Sequence, residues 1–171
     1  MSPAAATTAL EAGLILLARR SYPEAGLRQK LDAMWSSADT DAAIARLREL
    51  GMIDDAAWAR RYARNRFERG GHGRHRLAAE LMSRGIAAPL AAEVIAETIG
   101  EHEERRDAET LLAGLLARHF GSVTPSRARG LTQEDRARLD TLAEEHRARL
   151  FRIMTARGYP SGLVRDLLAV S

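Results

Sequence analysis

One pattern of apolar residues and glycine occurs twice in the chain, and it limits the possible folds more than any other feature. Leu77-x3-Leu81-x2-Arg84-Gly85-Ile86 is followed 73 residues later by Leu150-x3-Met154-x2-Arg157-Gly158-Tyr159. Apolar residues three or four positions apart lie on one face of a helix, and a glycine after the last of them ends that helix. A weaker copy begins at Leu27. The repeat predicts a chain built from similar helical units.

Each copy is predicted to be a helix, a turn and a closing helix, preceded by a first helix of its own. The composition, rich in Ala, Leu and Arg and poor in β-branched residues, favours helix over strand. We therefore expect an all-α fold of three tandem three-helix modules, at residues 8–53, 54–100 and 101–171, with a loop insertion at about 121–131. Modules of ~45 residues are near the lower size limit for an independent core, so they should form an elongated, curved molecule in which neighbours support one another.

Capping residues indicate where several helices begin and end. Asp54 and Asp55 are predicted to cap the first helix of the second module, because a side-chain oxygen can accept hydrogen bonds from the free N–H groups of its first turn. Gly73 and Gly85 are assigned structural roles in the turns that follow helices. Residues 132–158 are predicted to hold one long helix, since their apolar side chains keep the spacing of a single face.

The first helix of the second module has an apolar side and a basic side. Trp58 and Tyr62 fall on the apolar side and are predicted to be core residues. The arginines of the basic side are Arg60, Arg61 and Arg64. Arg66 falls among the apolar residues and is interpreted as structural, because a buried guanidinium needs a partner. Its nearest candidate partners in sequence are Asp54, Asp55 and Glu80.

Charge is distributed unevenly although the net charge is only +3. Residues 60–84 contain eight arginines and two glutamates, whereas residues 93–109 contain seven acidic residues and two arginines. Such blocks suit a charged polymer or partner, but solvated helix faces give the same pattern. The basic stripe is the best candidate for a binding surface, because guanidinium groups form bidentate hydrogen bonds with phosphates and carboxylates. Its predicted members are Arg60, Arg61, Arg64, Arg69, Arg74 and Arg76.

Several classes of function lack their sequence signals. There is no nucleophile motif, phosphate-binding loop or dinucleotide fingerprint, so neither an enzyme nor a cofactor is expected. The chain has no cysteine, and His72-x2-His75 lacks a second pair of ligands, so no metal site is expected. Gly70-x-x-Gly73 is similar to the backbone clamp of one class of RNA-binding domain, but a tight turn with positive φ is favoured because that domain needs strands. No signal-peptide pattern or membrane-length apolar run is present, which predicts a cytoplasmic protein.

The segment from Leu50 to Ile86 resembles the RecX family, bacterial regulatory proteins that bind the RecA recombinase filament. The resemblance rests on Leu-Gly-x-Ile-Asp-Asp-x-x-Trp-Ala-x-x-Tyr-x-Arg-x-Arg followed by Gly-x-x-Arg-x-x-Leu-x-x-Glu-Leu-x-x-Arg-Gly-Ile. It is dense over about 35 residues and extends in outline over roughly residues 9 to 170. The positions that match the family's recurring charged residues are Asp54, Asp55, Arg64, Arg66, Arg74 and Arg84.

This resemblance implies a non-enzymatic regulator that binds in the groove of the RecA filament on single-stranded DNA. It implies inhibition of ATP hydrolysis, strand exchange and co-protease activity, and so a role in DNA recombination, DNA repair and the SOS response. The residues expected to contact the partner or DNA are Arg60, Arg61, Arg64, Arg69, Arg74, Arg76 and Arg84. Those expected to be structural are Asp54, Asp55, Trp58, Tyr62, Arg66, Gly73 and Gly85.

Two other interpretations remain open. Short helices joined by tight turns resemble helix-turn-helix units, so the chain could bind single- or double-stranded DNA directly, without RecA. The chain could also be an adaptor for another helical assembly. Affinity that depends on phosphates alone falls steeply with salt, whereas a filament regulator should act below one molecule per RecA. This difference separates direct DNA binding from regulation of the filament.

Overall fold

The computed structural model describes residues 6–120 and 130–169. Within these ranges the chain forms ten helices and no β-strand, which confirms the prediction of an all-α fold. The helices are α1 (Ala9–Arg19), α2 (Glu24–Asp32), α3 (Ser37–Glu49), α4 (Asp55–Glu68), α5 (Arg74–Met82), α6 (Ala88–Thr98), α7 (Glu101–Phe120), α8 (Gln133–Thr141), α9 (Glu144–Ala156) and α10 (Ser161–Leu168).

Three of these helices end in the same glycine turn. After α5, the N–H of Gly85 donates to the carbonyl of Met82, and the N–H of Ile86 donates to the carbonyl of Leu81. This pair of hydrogen bonds is a Schellman motif, which requires a left-handed residue that glycine adopts without strain. The glycines at this position are Gly51, Gly85 and Gly158, with φ of 66°, 87° and 89°. The repeat seen in the sequence is therefore a repeat of one way of ending a helix.

The prediction of one long helix at residues 132–158 is wrong, because the chain forms α8 and α9 there. Between them, Leu142 and Ala143 have extended backbones with ψ of 136° and 149°. Leucine and alanine both favour helix, so local propensity does not predict the break. Leu139, Leu142 and Leu150 all pack in one apolar cluster, and we attribute the break to the burial of these three side chains.

The chain divides into two compact units, residues 1–62 with 80–94 and residues 63–79 with 95–171. In the first unit, α1, α2 and α3 enclose an apolar cluster whose described members all come from residues 6–53. In the second unit, α7, α9 and α10 enclose another, whose described members all come from residues 108–168. Each cluster is thus built from a continuous stretch of chain.

These two units do not test the predicted division into three modules, which stays a prediction. The elongated, curved shape also stays a prediction. The predicted insertion at about 121–131 lies outside the described residues except for Gly130 and Leu131. Among the described helices, none combines the length and low charge that crossing a lipid bilayer requires.

Candidate partner-binding surfaces

Two aromatic residues of α4 form a stack at the surface of the first unit. Trp58 and Tyr62 are half-buried, and their rings are parallel within 16° with centroids 5.1 Å apart. The Tyr62 hydroxyl donates to Oε2 of Glu80 at 2.7 Å, and the guanidinium of Arg84 lies 4.8 Å from the centre of the Tyr62 ring. The sequence placed these two rings in the core, but the buried residues of the helix are Ala59, Ala63 and Phe67.

The arginines of the predicted stripe differ in exposure. Arg60 and Arg61 are exposed in the first unit, as is Arg84. Arg69 and Arg76 are exposed in the second unit. Arg64 and Arg74, also in the second unit, are half-buried. The exposed guanidinium groups lie at the surface, whereas those of the half-buried pair contact carboxylates within the unit.

Both half-buried arginines contact the acidic helix α7. Arg74 donates to the Glu104 carboxylate twice, from its backbone N–H at 2.8 Å and from Nε. Glu104 is only 2% exposed, so this pair replaces the water that the carboxylate loses on burial. Arg64 and Glu103 form a more exposed ion pair at 3.5 Å. The basic and acidic blocks of the sequence therefore partly neutralise one another.

The glycine turn at residues 70–73 is held by a second carboxylate of α7. Asp107 accepts a hydrogen bond from the Gly71 N–H, 3.1 Å from Oδ2, and one from the Tyr159 hydroxyl, 2.5 Å from Oδ2. Burial, and then the hydrogen bond to Asp107, raises the pKa of Tyr159 well above its usual value, so its hydroxyl remains a donor. The turn is thus tied to α7, and through Asp107 to Tyr159, within the second unit.

Gly73 has a role that its sequence position did not predict. Gly70 and Gly71 have positive φ, but Gly73 does not. A Cβ at Gly73 would lie 2.4 Å from the carbonyl carbon and oxygen of Gly158. The two backbones are also bonded, with the Gly73 N–H donating to the Arg157 carbonyl at 2.9 Å. Gly73 is therefore required for close approach of two backbones, and not for a turn with positive φ.

Arg66, Asp54 and Asp55 each contact a different part of the chain. One partner of the half-buried Arg66 is His72, with Nη2 and Nε2 3.2 Å apart. Asp54 accepts a hydrogen bond from the Ala57 N–H at 2.8 Å and so caps α4. Asp55 instead accepts from the Glu24 N–H at 2.7 Å and caps α2. Burial raises the pKa of Asp55, because desolvation disfavours its charged form.

The sequence did not indicate the roles of Glu104 and Asp107, because an acidic block is typical of a solvated helix face. The available signal was their spacing of three residues on α7, which places them on the same side of the helix. Nor did the sequence indicate a role for Tyr22, which is half-buried beneath Arg20 just before α2. No group of three or more His, Asp or Glu side chains within residues 6–120 and 130–169 is arranged to hold a metal ion.

Comparison with known proteins identifies a consistent set of relatives. The family model described as RecX, second three-helix domain, matches residues 54–95. The regulatory protein RecX of Thermus thermophilus is 32% identical over 158 residues, which are 92% of this chain and 88% of that protein. The regulatory protein RecX of Mycolicibacterium smegmatis is 28% identical over 158 residues, 92% of this chain and 76% of that protein.

A solved structure shows the same fold. The crystal structure of RecX from Lactobacillus salivarius matches with a TM-score of 0.73 at 15% sequence identity, and the match covers 94% of this chain and 91% of that chain. At this low identity the likeness is evidence for a shared arrangement of helices alone.

Proposed function

The chain belongs to the RecX family, and on this premise we propose that it is a non-enzymatic regulator of the RecA recombinase. It binds in the groove of the RecA filament on single-stranded DNA and inhibits ATP hydrolysis, strand exchange and co-protease activity. The observation that carries this proposal is similarity over 92% of the chain to a protein named as a RecX regulatory protein. That name also supports a regulatory role and not a catalytic one.

The contact surface that we propose starts from Arg60 and Arg61. Both are exposed on α4 in the first unit, and guanidinium groups suit the carboxylates or phosphates that a protein–DNA filament presents. Arg69 and Arg76 are the exposed candidates in the second unit. We leave Arg64 and Arg74 out of this surface, because both are half-buried beside Glu103 and Glu104 of α7.

The test is the DNA-dependent ATP hydrolysis of RecA while the protein is titrated in. We expect hydrolysis to fall steeply at well below one molecule per RecA, and well below the concentration of DNA sites, so that sequestration of DNA cannot account for the loss. No change in hydrolysis, together with DNA binding that RecA does not alter, would contradict this proposal and support direct DNA binding.

A matched pair of variants tests the surface. Arg60→Glu with Arg61→Glu should raise the concentration needed for half-inhibition by at least about ten-fold, because two attractive contacts become repulsive. The control is Arg149→Glu with Arg152→Glu, which makes the same change in net charge at two exposed positions on α9. Equal weakening by both double variants would show that only net charge matters and would remove Arg60 and Arg61 from the mechanism.

A further inference from the structure

The first unit contains an open cleft that the proposed function does not use. Its volume is about 830 Å³, within the range of roughly 300–1,000 Å³ that is common for ligand sites. It lies between the segment that joins α1 to α2, the first half of α4, and the turn after α5. The side chains that give it its chemistry are Arg20, Tyr22, Lys30, Trp58, Tyr62 and Arg84.

Two close contacts fix the walls of this cleft. Gly85 has a φ of 87°, and a Cβ there would lie 2.2 Å from the Cβ of Ala25, so the turn after α5 is pressed against α2. Asp55 accepts the Glu24 N–H, which joins the first turn of α4 to the first turn of α2. The walls of the cleft are therefore held together by contacts of Gly85 with Ala25 and of Asp55 with Glu24.

The lining is positively charged and contains no acidic side chain. Arg20, Lys30 and Arg84 are all exposed, and none forms an ion pair with a carboxylate of the described residues. Each lies instead over an aromatic ring: Arg20 is 4.5 Å and Lys30 5.8 Å from the centre of Tyr22, and Arg84 is 4.8 Å from that of Tyr62. Cation–π contacts hold these groups along the lining without cancelling their charge.

The lining also contains aromatic rings that a ligand can contact. Trp58 stacks on Tyr62 and, like Tyr22, is only half-buried, so it offers apolar surface to a ligand. An acidic peptide would pair with the cations but would leave these rings without a planar partner. Duplex DNA would offer phosphates, but its bases are stacked internally and cannot reach the rings. Cations beside half-exposed aromatic rings are the combination that binds single strands, with phosphates on the cations and bases on the rings.

The three cations lie over two different rings, Arg20 and Lys30 over Tyr22 and Arg84 over Tyr62. This arrangement suits successive phosphates along a strand better than the adjacent phosphates of a free nucleotide. We propose that the cleft binds a short stretch of single-stranded nucleic acid, with phosphates on Arg20, Lys30 and Arg84 and an unstacked base against Trp58 and Tyr22. This proposal does not rest on the proposed function, since its test contains no RecA.

The test uses the full chain and a fluorescein-labelled oligothymidylate, with binding followed by anisotropy at low salt. Lys30→Gln with Arg84→Gln should weaken binding at least about ten-fold and make the slope of log affinity against log salt shallower by about 1.4, or ~0.7 for each phosphate contact. The control is Arg149→Gln with Arg152→Gln, an equal change in charge at exposed positions outside the cleft. It should retain the wild-type salt slope. An equal loss of affinity and an equal change of salt slope in both double variants would overturn the proposed site.

The role of the bases needs a separate measurement. Wild-type protein should bind the oligothymidylate roughly 5- to 150-fold more tightly than an abasic strand of the same length, and Trp58→Leu should lose this preference. In a Trp35→Phe background Trp58 is the sole tryptophan, so quenching of its emission reports a base at the cleft directly. Equal affinity for the abasic strand, or competition by polyglutamate or by ATP as effective as that by the oligonucleotide, would overturn the proposal. Thermal unfolding of each variant verifies that its fold is intact.

Discussion

At the residue scale, the second unit depends most visibly on Gly73. The Gly73 N–H donates to the carbonyl of Arg157, and the His75 N–H donates to that of Gly158 at 3.1 Å, so two turns are joined backbone to backbone. The space for a side chain at Gly73 is already filled by main-chain atoms of Gly158 and Tyr159, each 2.4 Å from an added Cβ. Main-chain atoms cannot rotate away as a flexible side chain can, so any substitution must separate the two turns.

We predict that Gly73→Ala lowers the free energy of unfolding by about 1–3 kcal/mol, the usual cost of an additional methyl group in a filled space. The control is Gly114→Ala in α7, where an added Cβ has no atom within 4 Å. That change should raise the free energy of unfolding by roughly 0.5–1 kcal/mol, because alanine favours helix over glycine. Urea titration followed by circular dichroism measures both. Stability of Gly73→Ala equal to or above that of the wild type would contradict the packing described here.

At the element scale, the ends of the helices follow local rules and the break between α8 and α9 does not. Ala143 has φ of −60° and ψ of 149°, and Leu142 before it is also extended. These angles suit proline and the residue before proline. The Ala143 N–H donates no hydrogen bond to another described residue. A substitution that would disrupt a continuous helix should therefore be tolerated at this position.

Ala143→Pro is expected to raise the free energy of unfolding by about 0.4–1 kcal/mol, because proline restricts the unfolded chain without straining the folded one. Ala148→Pro, an exposed position inside α9, is the control and should cost about 3 kcal/mol or more. The two variants are compared by thermal unfolding. A comparable loss of stability in both would mean that residues 132–158 form one helix after all.

At the scale of the whole molecule, two of the apolar clusters are each formed by one continuous stretch of chain. One takes its described members from residues 6–53 and the other from residues 108–168. The net charge of +3 hides the opposite charges of residues 60–84 and 93–109, and in the second unit Arg64 and Arg74 pair with glutamates of α7. A substitution that destabilises one unit therefore need not destabilise the other.

We predict that Gly73→Ala, which lies in the second unit, accelerates hydrogen exchange unequally. Amides near Leu112 and Met154 in the second cluster should exchange faster than in the wild type, whereas those near Leu31 and Leu47 in the first cluster should keep their protection. Mass spectrometry of peptides from the exchanged protein, with Gly114→Ala as the comparison, measures this. Acceleration by the same factor in both clusters would show a single cooperative unit.

How far the sequence predicts this protein depends on the range of the interactions involved. The all-α fold and the glycine turns at Gly51, Gly85 and Gly158 follow from propensity, from apolar spacing and from hydrogen bonds that close within six residues. Asp54 caps α4 in the same local way. Each of these depends on backbone geometry that neighbouring residues determine among themselves, so the pattern of the sequence is sufficient to find it.

Only the tertiary structure decided the features that join distant parts of the chain. Asp55 caps a helix that begins 31 residues earlier, Arg74 pairs with Glu104 30 residues later, and the break at Leu142 contradicts local propensity. The cleft likewise combines segments that the sequence separates. Residue spacing specifies which face of a helix is apolar, but not which helix will cover that face. Capping partners, buried ion pairs and clefts therefore follow from the packing of elements, which the burial of apolar side chains selects.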